Sequence, residues 1–172
     1  MRYLLDANIF ITAKDSYYNP GFCSAFWGWI DAAHQGGRVF SIDKVKKELL
    51  AGDADDHLVT WASERNDDFF LPSKGTLYKW DDLVDWVENR TPSFTAAAKE
   101  KFLQENTADP WLIAFAAHHG GYTIVTNEVS SPERKNSIKL PDAADGLGIQ
   151  TIKLFELLDL WAHNNFSFLG QP

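Results

Sequence analysis

Cysteine is nearly absent from the sequence: Cys23 is the one thiol among 172 residues. A single cysteine cannot form a disulfide within the chain, which excludes a disulfide-stapled secreted scaffold and suits a reducing cytoplasm. Long apolar runs are missing as well, since no stretch approaches the roughly 18 residues that a membrane-spanning helix needs. The short apolar N-terminus is interrupted by Asp6 and does not have the form of a signal peptide. We therefore expect a cytoplasmic protein without a membrane anchor.

Basic residues are also in short supply. The sequence has 16 Lys and Arg against 24 Asp and Glu, which gives a net charge of −8. This balance argues against non-specific binding of nucleic acid over the whole surface, because phosphate contacts depend on Lys and Arg. A nucleic-acid function would need a local basic cluster or a basic partner. The glycine-rich loop that cradles phosphates in many nucleotide-binding proteins is absent too.

Apolar residues, in contrast, make up 45% of the chain, with seven Trp and twelve Phe. They are enough to build one well-buried domain over residues 1–172. Strands are predicted at 3–5, 38–42, 122–126 and 150–154, with helical patterns between them and a brief extended piece at 69–72. Strands that alternate with helices predict an α/β fold, a three-layer α/β/α sandwich around a central, mostly parallel sheet.

Local signals also place the ends of several helices. Asp43 is predicted to cap one helix, and Asp109, followed by Pro110, is predicted to cap another. The last helix is predicted over residues 155–163, after a loop that runs from 127 to 148.

Acidic side chains recur at or near the carboxyl ends of the predicted strands, the edge at which open parallel sheets form their sites. The residues are Asp6 at the end of the first strand, Glu48 in the helix after the second, Asp109 at the start of the helix before the third, Glu128 just past the third, and Asp142 ahead of the fourth. Asn8 and Thr126 accompany them, close to the ends of the first and third strands.

Carboxylates that converge in one pocket need a counter-charge, because like charges at short range raise one another's pKa. A hard divalent cation such as Mg²⁺ resolves the conflict, since it accepts a few carboxylates and keeps several waters. Such a cation also stabilises charge on a phosphoryl group. Asn8 is then expected to position a water or a ligating carboxylate, and Thr126 to hydrogen-bond a ligand from behind.

Each acidic residue also has a purely structural interpretation. Asp6 and Asp109 can be helix caps, and Glu48 can be a boundary residue on its helix. Glu128 can be a turn residue and Asp142 a loop carboxylate. Taken singly, the structural interpretation is favoured for each residue; taken together, in this order along an α/β chain, they favour a metal site.

In this order, the motifs LLDAN, KKELL, ADPWLIAFA and TNE resemble those of the PIN-domain ribonucleases, the PilT N-terminus-like proteins. The phrases LLDANIFI and KLPD look closest to a toxin-like bacterial branch. The resemblance implies a PIN-like fold and an endoribonuclease that depends on Mg²⁺ or Mn²⁺, with Asp6, Glu48, Asp109 and Glu128 as the catalytic, metal-holding quartet. The chain departs from the family in having Glu128 where Asp is usual.

The resemblance also implies partners. RNA would be the substrate, a cognate antitoxin would restrain the enzyme as in type II toxin–antitoxin modules, and a homodimer is compatible with the family. Arg134, Lys135 and Lys139 lie close together in the sequence and are the candidates for contacts with RNA phosphates.

Two alternatives remain. One is a catalytically inactive PIN-like module that binds RNA or a protein partner. The other is a phosphatase of the haloacid dehalogenase type, which also begins with Asp after its first strand. That family requires D-x-D, and Asn8 interrupts the pattern.

Overall fold

Five short strands form the central sheet within residues 1–168, the part of the chain that the computed structural model describes. They are β1 (Arg2–Leu5), β2 (Val39–Ile42), β3 (Phe70–Leu71), β4 (Tyr122–Val125) and β5 (Thr151–Ile152). All neighbouring strands run parallel, in the order β3-β2-β1-β4-β5. The predicted parallel sheet is therefore confirmed, and the extended piece at 69–72 supplies β3 at one edge.

Helices connect the strands. They are α1 (Ala7–Thr12), α2 (Ser24–Gln35), α3 (Asp43–Leu49), α4 (His57–Ser63), α5 (Leu77–Asn89), α6 (Ala96–Phe102), α7 (Ala108–His119), α8 (Leu140–Gly146) and α9 (Leu154–Trp161). A π-helical turn, Ala13–Tyr17, continues α1, and a 3-10 turn, Lys74–Thr76, leads into α5. The antiparallel strands β6 (Ala162–His163) and β7 (Ser167–Phe168) follow α9.

Both faces of the sheet are covered. Successive side chains of a strand point to opposite faces, yet Tyr3, Leu4 and Leu5 of β1 are all buried, as are all four residues of β4. Buried runs of this kind are typical of parallel sheets that lie between two helical layers. The three-layer α/β/α sandwich predicted from the alternation of elements is thus confirmed.

The order of the strands creates a crevice in the middle of the sheet. The chain starts at the centre with β1, adds β2 and β3 on one side, and then returns to add β4 and β5 on the other. Ligand sites of open α/β sheets form where the strand order reverses in this way, outside the carboxyl ends of the strands. Leu5 pairs with Val125, so Asp6 and Thr126, the residues after β1 and β4, meet at this crevice.

Helix α7 fixes a further side chain at the same edge. Every residue from Pro110 to Ala116 is buried, and a helix that is buried on all sides must be surrounded by other elements. α7 contacts β4, α3, α5 and α8. This packing holds the first turn of α7, which contains Asp109, in a fixed place relative to the strands.

Two predicted helix caps are wrong. α7 begins at Ala108 after the N-cap residue Thr107, so Asp109 is its second residue and does not cap it. Asp43 is the first residue of α3, and its carboxylate accepts a hydrogen bond from the Ser73 amide at 3.2 Å. The Asp43 side chain makes a tertiary contact, and the Asp109 side chain faces the crevice. Local sequence signals do not indicate either arrangement.

Part of the predicted loop 127–148 is helical. α8 has Pro141 in its first turn, a favoured position, but its sequence LPDAADG carries no clear apolar period. The helix forms because Leu140, Ala143 and Ala144 are buried against the rest of the protein. The last helix ends at Trp161, two residues earlier than predicted, because the chain continues into β6.

Within residues 1–168, the helices are all too short or too polar to cross a lipid bilayer.

Candidate functional site

Asp6 lies at the bottom of the crevice. It is 3% exposed, and although it occupies the N-cap position of α1, its side chain makes no capping hydrogen bond there. The carboxylate accepts one hydrogen bond from Thr126 Oγ1 at 2.8 Å and another from the side-chain amide of Asn8. The structure therefore does not support the capping interpretation of Asp6, whose carboxylate contacts the residue at the end of β4.

Asn8 and Thr126 orient the Asp6 carboxylate. Asn8 Nδ2 also donates to Thr126 Oγ1 at 2.9 Å, and Asn8 Oδ1 accepts from the amide of Asn127 at 3.0 Å. Thr126 Oγ1 accepts in turn from the Glu128 amide at 3.1 Å. These bonds connect the segments after β1 and β4, so the side chain of Asp6 is held from both. Asn8 and Thr126 thus lie where positioning residues are expected, and their part in holding a ligand stays a prediction.

Asp109 faces the same crevice from the first turn of α7. Within residues 1–168, its carboxylate has no hydrogen-bond partner and no ion pair. Burial raises the pKa of Asp109 well above its usual range, and the nearby carboxylates of Asp6, Glu128 and Glu48 raise it further, while Lys139 opposes them. A carboxyl group in these surroundings is costly to ionise unless a cation joins it.

Glu48 is tied to the start of α7. Its Oε1 accepts a hydrogen bond from the Ala108 amide at 2.7 Å, the first amide of that helix. Burial raises the pKa of Glu48, and this hydrogen bond lowers it in part. Glu48 therefore caps α7 from α3, next to Asp109, and it does so in place of the predicted Asp109 cap.

Glu128 plays the same part for α8. Its Oε2 accepts from the Leu140 amide at 3.0 Å, the first amide of α8, and its Oε1 lies 3.0 Å from the Nζ atom of Lys139. The Lys153 ammonium donates to the Glu128 carbonyl oxygen. Glu128 is thus fixed through its side chain and its backbone, and its negative charge is already compensated.

A cavity of about 240 Å³ opens beside Asp109, Glu128 and Lys139. The sequence analysis missed four polar residues that also line it, Lys101, Thr107, Asn136 and Ser137. They come from α6 and from the loops before α7 and α8, and the Thr95 amide joins α6 to the second loop by a hydrogen bond to the Lys135 carbonyl at 2.9 Å. No local signal marks these residues, because their approach depends on tertiary packing.

The remaining predicted residues lie around this cavity or away from it. Asp142 accepts hydrogen bonds from the Ser131 amide at 2.9 Å and from the Ser130 hydroxyl, so it holds the loop after Glu128 and does not line the cavity. Arg134 and Lys135 are exposed in the same loop. Of the three predicted phosphate-binding residues, Lys139 is the one that lines the cavity.

The predicted quartet lies around one crevice, but it is not arranged as a ready set of metal ligands. In the described part of the chain, no group of three or more His, Cys, Asp or Glu side chains is positioned to hold a metal ion. Glu48 and Glu128 bind helix N-termini. The donor chemistry of Asp6 and Asp109 still fits a hard divalent cation, because both are carboxyl groups that crowding and burial disfavour as bare anions.

Asp6 should make the stability of the metal-free protein depend on pH. Burial raises the pKa of Asp6 to about 7, with Glu128 and Glu48 adding to the effect and the Thr126 hydrogen bond opposing it. The folded state then keeps a proton that the unfolded state has lost, so stability is highest at low pH and falls as the pH rises through about 7. We expect the melting temperature to fall between about pH 4 and pH 7, which are the unfolded and folded pKa values of Asp6, and to level off at higher pH; the fall should be smaller in Asp6→Asn. Identical profiles for the two proteins would contradict this assignment.

The fold and the crevice define an α/β protein with an acidic site at the topological switch of a parallel sheet. The chain belongs to the family described as Domain of unknown function (DUF4411), whose model matches residues 3–166. Comparison with curated proteins and with solved structures gave no match.

Proposed function

We propose that this protein is a PIN-like endoribonuclease that depends on Mg²⁺ or Mn²⁺. The observation that carries the proposal is the pair Asp6 and Asp109, two carboxyl groups from distant parts of the chain that face one crevice. Asp6 raises the pKa of Asp109, and the Asp109 carboxylate makes no ion pair and no hydrogen bond within residues 1–168. Burying such a pair is unfavourable for the fold, which supports a role in binding a cation.

Asp6 and Asp109 would hold the cation, with Glu48 as a third carboxylate. A bound divalent cation would activate water and stabilise the charge of the phosphoryl group. Asn8 and Thr126 keep the Asp6 carboxylate in one orientation. In the hydrolysis, water adds to phosphorus and one P–O bond of the phosphodiester breaks. The products are a phosphomonoester and a hydroxyl group, and the proton lost by the water ends on the leaving oxygen.

The basic residues around the cavity support a polyanionic substrate. Lys101 and Lys139 line it, and Arg134 and Lys135 lie exposed in the loop that leads to it. In a protein of net charge −8, such a local cluster is where phosphate contacts are expected. At about 240 Å³, the cavity is smaller than the roughly 300 Å³ or more typical of pockets that enclose a drug-sized ligand.

Cleavage of a single-stranded RNA by the purified chain tests the proposal. We expect cleavage with Mn²⁺ and none with EDTA. Loss of a residue that only supports metal ligands costs about 10- to 100-fold, so Asp6→Asn should reduce cleavage by at least about 100-fold. Mn²⁺ at a hundredfold excess over Kd should also raise the free energy of unfolding by about 2.7 kcal/mol.

Asp82→Asn is the matched control for this experiment. It removes one carboxylate from an ion pair with Lys79 on α5, outside the crevice, and should leave both cleavage and the Mn²⁺ effect unchanged. A wild-type protein that neither cleaves RNA nor gains stability from Mn²⁺ would reject the nuclease.

The proposal extends to a toxin with a cognate antitoxin, because a nuclease acting on cellular RNA must be restrained. A basic side chain of the antitoxin would pair with Asp6 and Asp109 in place of the cation. Expression of the chain alone should then slow bacterial growth, and Asp6→Asn should restore it. Equal growth with the two proteins would remove the toxin role.

A second candidate is a non-catalytic PIN-like module that binds RNA or a protein. The Glu128–Lys139 ion pair favours it, because it neutralises one predicted ligand without a metal. This module would keep RNA or partner binding in EDTA, and its melting temperature would not respond to Mn²⁺.

A further inference from the structure

Both carboxylate oxygens of Glu128 already have partners. One carboxylate oxygen binds the Lys139 ammonium at 3.0 Å and the other accepts from the first amide of α8, Leu140 N, also at 3.0 Å. A helix N-terminus carries partial positive charge, so both contacts compensate the carboxylate. Glu128 therefore has less need of a cation than Asp109, which has no partner within residues 1–168.

The backbone fixes Lys139 firmly in this place. Lys139 is the N-cap residue of α8, and its carbonyl oxygen accepts from the Asp142 and Ala143 amides at 3.0 and 3.1 Å. On the other side of the ion pair, the Lys153 ammonium holds the carbonyl of Glu128. These bonds do not involve the Lys139 side chain, so the backbone position from which this side chain projects is set by the fold and survives replacement of the side chain.

The Lys139 ammonium also lies beside the open part of the site. Lys139 lines the same cavity as Asp109. An ammonium has three N–H donors, and one of them is used by Glu128. Ser137 is another residue that lines this cavity, and its hydroxyl group is buried and has no partner within the described residues. Unpaired buried hydroxyl groups are rare, so this one points to a polar ligand.

We infer that Lys139 takes the place of a second divalent cation. One cation binds at Asp6 and Asp109, and the Lys139 ammonium, anchored by Glu128, presents the second positive charge to a phosphate oxygen of the substrate. Two-metal nucleases use a pair of cations to stabilise the attacking and the leaving oxygen of the phosphodiester. Glu128 is then an anchor for Lys139 and not a metal ligand. This assignment rests on the proposed metal-dependent nuclease function.

Titration with Mn²⁺ by calorimetry tests the assignment without any reaction. The wild type should bind one Mn²⁺ per chain. Lys139→Met should bind two, because Glu128 loses its cation and a second Mn²⁺ replaces it, and Lys139→Met combined with Glu128→Gln should return to one. Glu128→Gln alone should still bind one, with affinity within about threefold of the wild type. A wild type that binds two or no Mn²⁺, or a Glu128→Gln variant that binds none, would overturn the assignment.

Charge and fold need separate controls. Lys79→Met removes the same charge from an ion pair on α5 and should bind one Mn²⁺, as the wild type does. Lys139→Arg keeps the charge and should also bind one, so two Mn²⁺ in that variant would overturn the assignment. If Lys139→Met does not fold, the number of Mn²⁺ ions bound by Glu128→Gln and by Lys139→Arg still tests the assignment.

RNA cleavage separates this assignment from the proposed function. Lys139→Met should cleave at least tenfold more slowly than wild type in Mn²⁺, and Lys139→Arg should recover part of the rate. A wild type that binds one Mn²⁺ in the expected pattern but cleaves no RNA would reject the nuclease and keep Lys139 in place of the second cation. A wild type that cleaves RNA with two Mn²⁺ bound would reject the assignment and keep the nuclease.

Discussion

Asp109→Asn is expected to abolish RNA cleavage while raising the melting temperature of the metal-free protein. Asn keeps the shape of the side chain but removes a negative charge from a buried site where Asp6, Glu128 and Glu48 already disfavour it. Folding without metal therefore becomes easier. Loss of a residue that only supports metal ligands costs about 10- to 100-fold in activity. Loss of a ligand itself should cost more, so cleavage with Mn²⁺ should fall by at least about 100-fold.

The two measurements have to be made on the same preparation. Melting is followed without metal at about pH 7.5, where the carboxyl group of Asp109 is ionised in the unfolded chain, and cleavage is followed with Mn²⁺. Asp82→Asn again serves as the control on α5. Because Glu48 and not Asp109 caps α7, a loss of stability in Asp109→Asn cannot be explained by a lost cap. Full cleavage in this variant would remove Asp109 from the site.

Gly146→Ala should destabilise the protein by about 1–3 kcal/mol, the usual cost of forcing extra atoms into a packed position. A Cβ atom on Gly146 would lie 2.0 Å from Nε1 of Trp86 and 2.3 Å from its Cε2. Either the indole ring or α8 would have to shift. Because Lys139 is the N-cap residue of α8 and Leu140 its first residue, we also expect weaker Mn²⁺-dependent cleavage. Denaturation in urea measures the stability.

Gly28→Ala is the matched control, with the opposite expected sign. Gly28 is exposed in the middle of α2, and a Cβ atom there meets nothing within 4 Å. Alanine should stabilise that helix by about 1 kcal/mol. A Gly146→Ala variant that is stabilised, as Gly28→Ala is expected to be, would show that the contact between Gly146 and Trp86 is not tight.

The sheet could be predicted from the sequence because its strands are short buried runs between helical patterns. β3 is two residues long, and the apolar residues Phe70 and Leu71 were enough to indicate an extended piece there. α8 could not be predicted, since its turn of LPDAADG is stabilised by burial and by Glu128, twelve residues earlier in the chain. The start of α7 was predicted wrongly for the same reason. Glu48 of α3 caps this helix, whereas the sequence predicted Asp109 as its cap.

The residues of the site also fall into those that the sequence could predict and those that it could not. Asp6, Asn8, Thr126 and Asp109 could be predicted to lie at one crevice, because the ends of parallel strands and of the helices between them share an edge. Glu48 and Glu128 reach this edge as well, but their contacts with Ala108, Leu140 and Lys139 depend on side-chain directions that spacing does not fix. Lys101 and Ser137 had no sequence signal. Their place in the cavity wall follows from how the loops pack.

The central position of β1 has a consequence for synthesis of the chain on the ribosome. β1 leaves the ribosome well before β4, with which it pairs, because β4 is made more than a hundred residues later. At 5–20 residues per second, that delay is on the order of 10 s. Until then Asp6 has neither Thr126 to orient it nor Asp109 opposite. If the protein cleaves RNA as proposed, a chain in which β4 has not yet been made is inactive, and the message and ribosome that produce it are safe until β4 has joined the sheet.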